Sequence, residues 1–241
     1  MIQDTIQEQF ISRVSEQGLL LSSSQLEQFE LYYKELVDWN ERMNLTAITE
    51  REQVYLKHFY DSLTLSFHVN MEQVSTMADI GAGAGFPSIP LKIAFPHLKL
   101  TIVDSLNKRI HFLNHLAEQL QLKDVKAIHA RAEEAGRDKE LRDQFDLVTA
   151  RAVARLSVLN ELCLPFVRPS GIFAAMKSAQ TSDELQEAKR SIALLKGTLE
   201  KVHTFTLPVE EAERNIIVLR KTDVTPSKYP RKPGTPGKEP L

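Results

Sequence analysis

The chain has 241 residues, 42% of them hydrophobic and 26% charged, with a net charge of −2 and a single cysteine, Cys163. That length carries one core domain plus a smaller extension; one thiol excludes internal disulfides and a cysteine-based metal centre, and the near-neutral total argues against a generic nucleic-acid binder. No apolar run is long enough to cross a bilayer and Met1–Thr5 lacks a basic-then-apolar leader, so a cytoplasmic protein with no membrane partner follows by elimination.

Residues 1–23 read as a weak helix and a turn. Ser24 and Glu27 have capping-box spacing, and Leu26, Phe29, Tyr33, Leu36 and Val37 then recur on one helical face. The pattern breaks between Asn40 and Thr46. A second box at Thr49–Glu52 opens a helix running to about Phe67, so residues 1–70 are expected to form a helical extension. In that helix His58, Asp61 and Ser62 share a face. A hydrolase would want these residue types, but neighbouring positions on one helix give poor attack geometry, and two ligands without a third make no metal site. A hydrogen-bond network that docks the helix onto the rest is the expected role.

From Ser75 onward, strand, turn and helix alternate. Candidate strands are Thr76–Ile80, Leu100–Val103, Val125–His129, Asp146–Thr149 and Gly171–Met176, followed by a hairpin of Val202–Leu207 and Asn215–Arg220. The alternation predicts an α/β domain over residues 71–221, a doubly wound, mostly parallel sheet closed by an antiparallel hairpin. Cys163 falls in an apolar helical stretch and reads as a small core residue. Residues 222–241 are basic and Pro-rich and read as a tail rather than a packed element. From Arg214 to Leu241 seven Lys/Arg face two Asp/Glu, a local +5 that leaves −7 for the first 213 residues. Any RNA contact must therefore come from local patches and this tail.

The first strand runs into Asp79-Ile80-Gly81-Ala82-Gly83-Ala84-Gly85-Phe86-Pro87. Glycines admit close backbone approach, and Pro suits a helix start, so this is the first strand-to-helix turn, where nucleotide-like ligands sit. No Gly-Lys-Ser/Thr follows, and the spacing is not that of the dinucleotide fingerprint, which weighs against an NAD(P)-dependent oxidoreductase. Asp79 would repel a pyrophosphate and suits a cationic ligand. S-adenosyl-L-methionine, with an ammonium, a sulfonium and no phosphate, fits better.

Asp104 ends the second strand, 23 residues after Gly81, where a carboxylate accepts from ribose hydroxyls; capping the next helix is the alternative. After the third strand, backbone donors near Ala132 and the carboxylate of Glu133 are placed to read an adenine edge, or Glu133 and Glu134 are first-turn charges. The fourth strand runs into Thr149-Ala150-Arg151-Ala152-Val153-Ala154-Arg155. Arg151 is a multidonor cation for a phosphate, a base edge or a carboxylate, unless it and Arg155 form a solvated face. Neither an Asn-Pro-Pro-aromatic motif nor a Pro-Cys nucleophile is present.

Trp39-Asn40, Asn44-Leu45-Thr46, Lys57 to Ser62, Asp79 to Pro90, Asp104-Ser105 to Phe112, and Thr149 to Ala154 together resemble the RsmG (glucose-inhibited division protein B) family of bacterial 16S rRNA guanine-N7 methyltransferases. The resemblance implies a class I methyltransferase (Rossmann-like) sheet, S-adenosyl-L-methionine as donor, and the guanine at nucleotide 527 of 16S rRNA as acceptor. It places cofactor contacts on Gly81, Phe86, Asp104, Ala132, Glu133 and Arg151. Asp79, Gly83, Gly85 and Ser105 complete the expected cofactor set. Ser88 stands where another glycine is often found. Guanine N7 carries a free lone pair, so no general base is required. Arg151 and Lys177, at neighbouring strand ends, are the groups expected to hold the guanine or its phosphate, with 16S rRNA or the small subunit as partner and no obligate protein partner.

Overall fold

The computed structural model describes residues 4–151, 154–178 and 181–241. Ala152 and Val153, in the segment after the fourth strand, lie outside the described residues. Seven strands form one sheet: β1 (Thr76–Ile80), β2 (Lys99–Asp104), β3 (Val125–His129), β4 (Phe145–Arg151), β5 (Val167–Ser178), β6 (Gly197–Thr206) and β7 (Glu213–Lys221). Their order is β3-β2-β1-β4-β5-β7-β6. The first five pair in parallel, and β7 runs antiparallel to both β5 and β6. Central strands covered on both faces need near-continuous apolar runs. Met77, Ala78, Ile102, Leu147 and Val148 supply them and are fully buried.

One face of the sheet carries α1 (Thr5–Glu16), α2 (Ser23–Met43), the helical segment 51–67, α5 (Ser88–Ala94) and α6 (Asn107–Gln119) in a single hydrophobic cluster. Segment 51–67 is not a uniform helix. It comprises α3 (Arg51–Val54), a π-helical turn (Tyr55–Tyr60), α4 (Asp61–Leu63) and a 3-10 turn (Thr64–Phe67). The other face is covered by α7 (Ala132–Ala135), α8 (Leu156–Cys163), α9 (Thr181–Leu194) and the C-terminal segment with α10 (Thr235–Lys238). Cys163 is fully buried in that second cluster.

Three local expectations change. The capping box of α2 joins Ser22 and Gln25, not Ser24 and Glu27. The Gln25 amide also donates to the Ile93 carbonyl at 2.8 Å, so a tertiary contact selects the register. The fully buried tyrosine of α2 is Tyr32 rather than Tyr33, and its hydroxyl donates to the Ala84 carbonyl at 2.6 Å. At Glu50, the cap of α3, no side-chain capping bond forms.

The largest correction concerns residues 222–241, which pack. Arg142 donates to the carbonyls of Thr225 at 2.7 Å and Tyr229 at 2.8 Å, and Arg137 donates to that of Pro230 at 2.9 Å. Arg231 forks onto Glu161, which is fully buried. A segment with few apolar residues docks here by lending its backbone carbonyls to arginines of the domain, a route composition does not reveal.

Candidate functional site

A cavity of about 670 Å³ opens at the C-terminal edge of the parallel strands. It lies where β1 is flanked by β2 on one side and β4 on the other, the reversal point at which open α/β sheets bind ligands. Its walls come from the loop after β1, the ends of β2, β4 and β5, the start of β7, and two pieces of the N-terminal region, residues 45–48 and 57–61.

The loop after β1 needs its glycines. Gly81, Gly83 and Gly85 have φ of 76°, 61° and 100°, a region strained for other residues. A Cβ on Gly85 would lie 2.7 Å from Ile89 Cγ1 and 2.9 Å from the Tyr32 hydroxyl, whereas one on Gly83 would meet no atom. Gly85 thus admits the helical layer behind the loop, and Gly83 keeps space open. The Gly83 N–H donates to Asp104 Oδ2 at 3.1 Å, and the Leu106 N–H donates to Oδ1 at 2.9 Å, so Asp104 ties the ends of β1 and β2 together. Arg109 lies 3.3 Å from the same carboxylate.

Above this floor the π-helical turn delivers His58, and α4, which follows it directly, begins with Asp61. Such turns concentrate at functional sites. Asp61 accepts from Arg151 Nη1 at 2.8 Å and from Arg214 Nε at 3.1 Å, which docks the helix onto β4 and β7 as expected. Arg151 also donates to the Lys57 carbonyl at 3.1 Å and sits 5.0 Å from the Phe86 ring centroid. The His58 ring stacks on Phe86 at 4.4 Å, and its Nδ1 lies 3.3 Å from Arg151 Nη2. Burial, reinforced by the Arg151 charge, pushes the imidazole down to about 3, so it is neutral at physiological pH. Lys177 donates to the Ala154 carbonyl at 2.8 Å and pairs with Glu184 at 2.9 Å.

Of the residues singled out from sequence, Gly81, Gly83, Phe86, Asp104, Ser105, Arg151 and Lys177 converge on the cavity. Gly85 lies behind its wall. Asp79 does not face it either: it is fully buried beneath the loop, with Oδ2 accepting from the Ser88 N–H at 3.2 Å and Oδ1 without a partner. Burial raises its carboxyl to about 7. What disfavours a pyrophosphate is therefore not Asp79 but the glycine spacing and the pairing of the cavity's cations with carboxylates. Ala132 and Glu133 are outside the lining, in the first turn of α7. The Glu133 carboxylate accepts from the Gly234 N–H at 2.8 Å. Burial alone would raise it, but the Gly234 amide and Arg131 hold it below the usual range.

Thr46, His58, Asp61, Arg214 and Asn215 also line the cavity, and sequence reasoning gave none of them a part in the site. The Asn-Leu-Thr and Lys-His-Phe-Tyr-Asp-Ser stretches were the available signal. The lining cations are held by carboxylates: Lys57 by Glu210 at 2.7 Å, Lys177 by Glu184, Arg109 by Asp104, and both Arg151 and Arg214 by Asp61. Such a cavity offers hydrogen-bond acceptors and aromatic surface more than a phosphate cradle.

A family model described as GidB, rRNA small subunit methyltransferase G, matches residues 25–217. The ribosomal RNA small subunit methyltransferase G of Bacillus velezensis is 62% identical over 97% of this chain and 98% of its own length. The protein of the same name from Bacillus subtilis is 59% identical over the same shares. Among solved structures, the [4+2]-cyclase SpnF superposes with a TM-score of 0.57 at 11% identity, covering 84% of this chain and 97% of that one. A mutant of the 16S rRNA (adenine(1408)-N(1))-methyltransferase from Catenulisporales acidiphilia gives 0.54 at 13% identity over 66% and 87%. TYW2 from M. jannaschii, in complex with AdoMet, gives 0.50 at 17% identity over 62% and 69%. At these identities the structural likenesses speak for the fold alone, which is the class I methyltransferase sheet.

Proposed function

The chain belongs to the rRNA small subunit methyltransferase G family, and we propose that it transfers the methyl group of S-adenosyl-L-methionine to N7 of a guanine in 16S rRNA, the guanine at nucleotide 527, in the cytoplasm. The observation that carries this reading is the state of the acid–base groups in the cavity. His58 is neutral with both ring nitrogens engaged, Asp61 is shared by two arginines, and Asp104 accepts from two backbone amides. None is poised to take a proton. Guanine N7 presents an unshared pair on the Hoogsteen edge, so its attack on a methyl carbon releases no proton.

The cavity fits the donor. Its volume lies within the range of about 300–1,000 Å³ common for small-molecule sites, Gly83 leaves it clear, and its cations are already neutralised. When bound, the donor supplies an electrophilic methyl on a cationic sulfur. Asp104, with lone pairs beyond those given to Gly83 and Leu106, accepts from the ribose hydroxyls. Ser105, just after β2, and Ala132 and Glu133, at the start of α7, flank the adenine. Gly81 and Phe86 border the chain that carries the sulfur, while Asp79 and Gly85 act only by shaping the loop. Arg151 and Lys177 face the acceptor side and orient the nucleotide so that N7, methyl carbon and sulfur fall in line.

The test is transfer of label from tritiated donor to small-subunit RNA, followed by nucleoside analysis and mapping of the modified position. The expected product is 7-methylguanosine at one site. Label on another atom, or binding of NAD but not of S-adenosylhomocysteine, overturns the reading.

A further inference from the structure

The Asn44-Leu45-Thr46 turn has no part in the function described so far, yet it forms a wall of the cavity. Asn44 is left-handed, with φ of 49°, and ends α2. Asn40 Oδ1 then accepts from the Thr46 N–H at 2.8 Å, which turns the Thr46 side chain toward His58. Around the Thr46 hydroxyl the hydrogen bonds have fixed directions. The Ile48 N–H donates to Oγ1 at 3.0 Å, and His58 Nε2 lies 2.8 Å from the same oxygen.

The direction of that second bond follows from the other side of the ring. A guanidinium can only donate. Arg151 Nη2 therefore donates to His58 Nδ1, at 3.3 Å, and Nδ1 must be the unprotonated nitrogen. The neutral ring then carries its proton on Nε2 and gives it to Thr46. With one lone pair taken by Ile48 and the other by His58, the hydroxyl has only its own proton left, and no acceptor among the described residues receives it.

We propose that Thr46 is a specificity-determining contact: a hydroxyl locked as a donor that binds O6 of the acceptor guanine. A free hydroxyl can donate or accept, and so cannot distinguish a carbonyl from an amino group. Locked by Ile48 and His58, this one can only donate. Guanine and adenine share the N7 acceptor but differ beside it, where guanine has the O6 acceptor and adenine an amino donor. A donor-only group next to the methyl therefore admits guanine and leaves two donors opposed when adenine is presented. The inference rests on the N7-guanine reading above.

The experiment compares wild type, Thr46→Val and Thr46→Ser in single-turnover transfer to small-subunit RNA carrying guanine or 2-aminopurine at the acceptor position. The latter base keeps N7 and lacks O6. Wild type is expected to slow about 10- to 100-fold on 2-aminopurine. Thr46→Val slows by a similar factor on guanine and becomes indifferent to the loss of O6, whereas Thr46→Ser stays within about 3-fold of wild type on both. Binding of S-adenosylhomocysteine, measured by calorimetry, should be the same in all three proteins. If Thr46→Val transfers to guanine at the wild-type rate, or penalises 2-aminopurine as wild type does, the proposal falls. It falls too if both variants lose S-adenosylhomocysteine binding, which would make Thr46 a support of the wall alone. A wild-type product methylated elsewhere than guanine N7 sinks the earlier reading instead, and so separates the two failures.

Discussion

Asp61→Ala removes one carboxylate and strands two cations. Asp61 is 4% exposed and is the anion that Arg151 and Arg214 share. Breaking a buried pair from one side costs about 3–5 kcal/mol, because the partner charge stays desolvated. Two features reduce that figure. Arg151 keeps the Lys57 carbonyl and the Phe86 ring, and the Arg214 side chain is 23% exposed and can turn toward water. The expected loss is therefore about 2–4 kcal/mol. At this chain length it corresponds to a fall in Tm of about 5–15 °C. Asp61→Asn keeps the volume and one acceptor oxygen and should lose about half as much. Urea denaturation followed by circular dichroism gives the free energy, and methyl transfer at about 20 °C, where the variant is still folded, gives the functional effect. Transfer should fall at least about 10-fold, because Arg151, held only by the Lys57 carbonyl and the Phe86 ring, loses the fixed orientation that Asp61 gives its guanidinium. A stability change under about 0.5 kcal/mol, or transfer within twofold of wild type, would refute the idea that this carboxylate sets the position of both arginines.

Further predictions come from the loop, the buried acid and the C-terminal segment. Gly85→Ala should cost at least about 2 kcal/mol in denaturant titrations, since φ of 100° adds backbone strain to the clash with Ile89 and Tyr32. Gly83→Ala should cost about 1–2 kcal/mol from strain alone, while calorimetry shows a larger relative loss of S-adenosylhomocysteine affinity because the methyl enters the cavity. Asp79 and His58 give opposing pH dependences. Burial lifts Asp79 to about 7, so the folded chain holds a proton the unfolded chain has released, and this contribution is lost as pH rises from about 4 to 7. Burial and Arg151 push His58 to about 3, so its contribution is present above pH 6.5 and is lost as pH falls toward 3. In Asp79→Asn only the His58 slope remains, and between about pH 4 and 6.5 stability should climb relative to wild type by up to about 1.4 kcal/mol per pH unit. Parallel slopes for the two proteins would contradict this. Arg231→Ala leaves Glu161 buried and unpaired and should cost about 3 kcal/mol by chemical denaturation. An unchanged midpoint would mean that the segment contributes nothing to the fold.

The sheet was legible because parallel strands covered on both faces write themselves as short apolar runs between turns. Thr76–Ile80 and Val125–His129 have the bounds that pattern predicts. β5 begins at Val167, four residues before Gly171, because Phe145 pairs with Val167 across a register shift that no periodicity announces. The glycine loop and Asp104 were readable as a local motif, and the structure joins them at the cavity floor through the Gly83 N–H and the Asp104 carboxylate. What stayed hidden was tertiary. Asp61 meets Arg214 across 153 positions, and Gly234 meets Glu133 across 101, distances over which spacing carries no signal. The residue type at position 79 suggested a charge facing a ligand, yet a strand interior with both faces covered leaves that side chain no exit. The Pro-rich terminus misled for the opposite reason: its polar composition conceals a docking made through carbonyls, which every residue possesses.

The wide turn at Tyr55–Tyr60 also bears on how this enzyme tolerates genetic change. A π turn accommodates one residue more than the α-helix on either side of it, so loss of a single codon there would let the helix close into ordinary α geometry with little backbone penalty. The helix downstream would keep its facing, so Asp61 would still meet both arginines, while the residues of the closed turn, His58 among them, would shift against Phe86. An in-frame deletion in this stretch should therefore yield a folded protein with an altered cavity wall, a lesion that assays of expression or solubility would pass over.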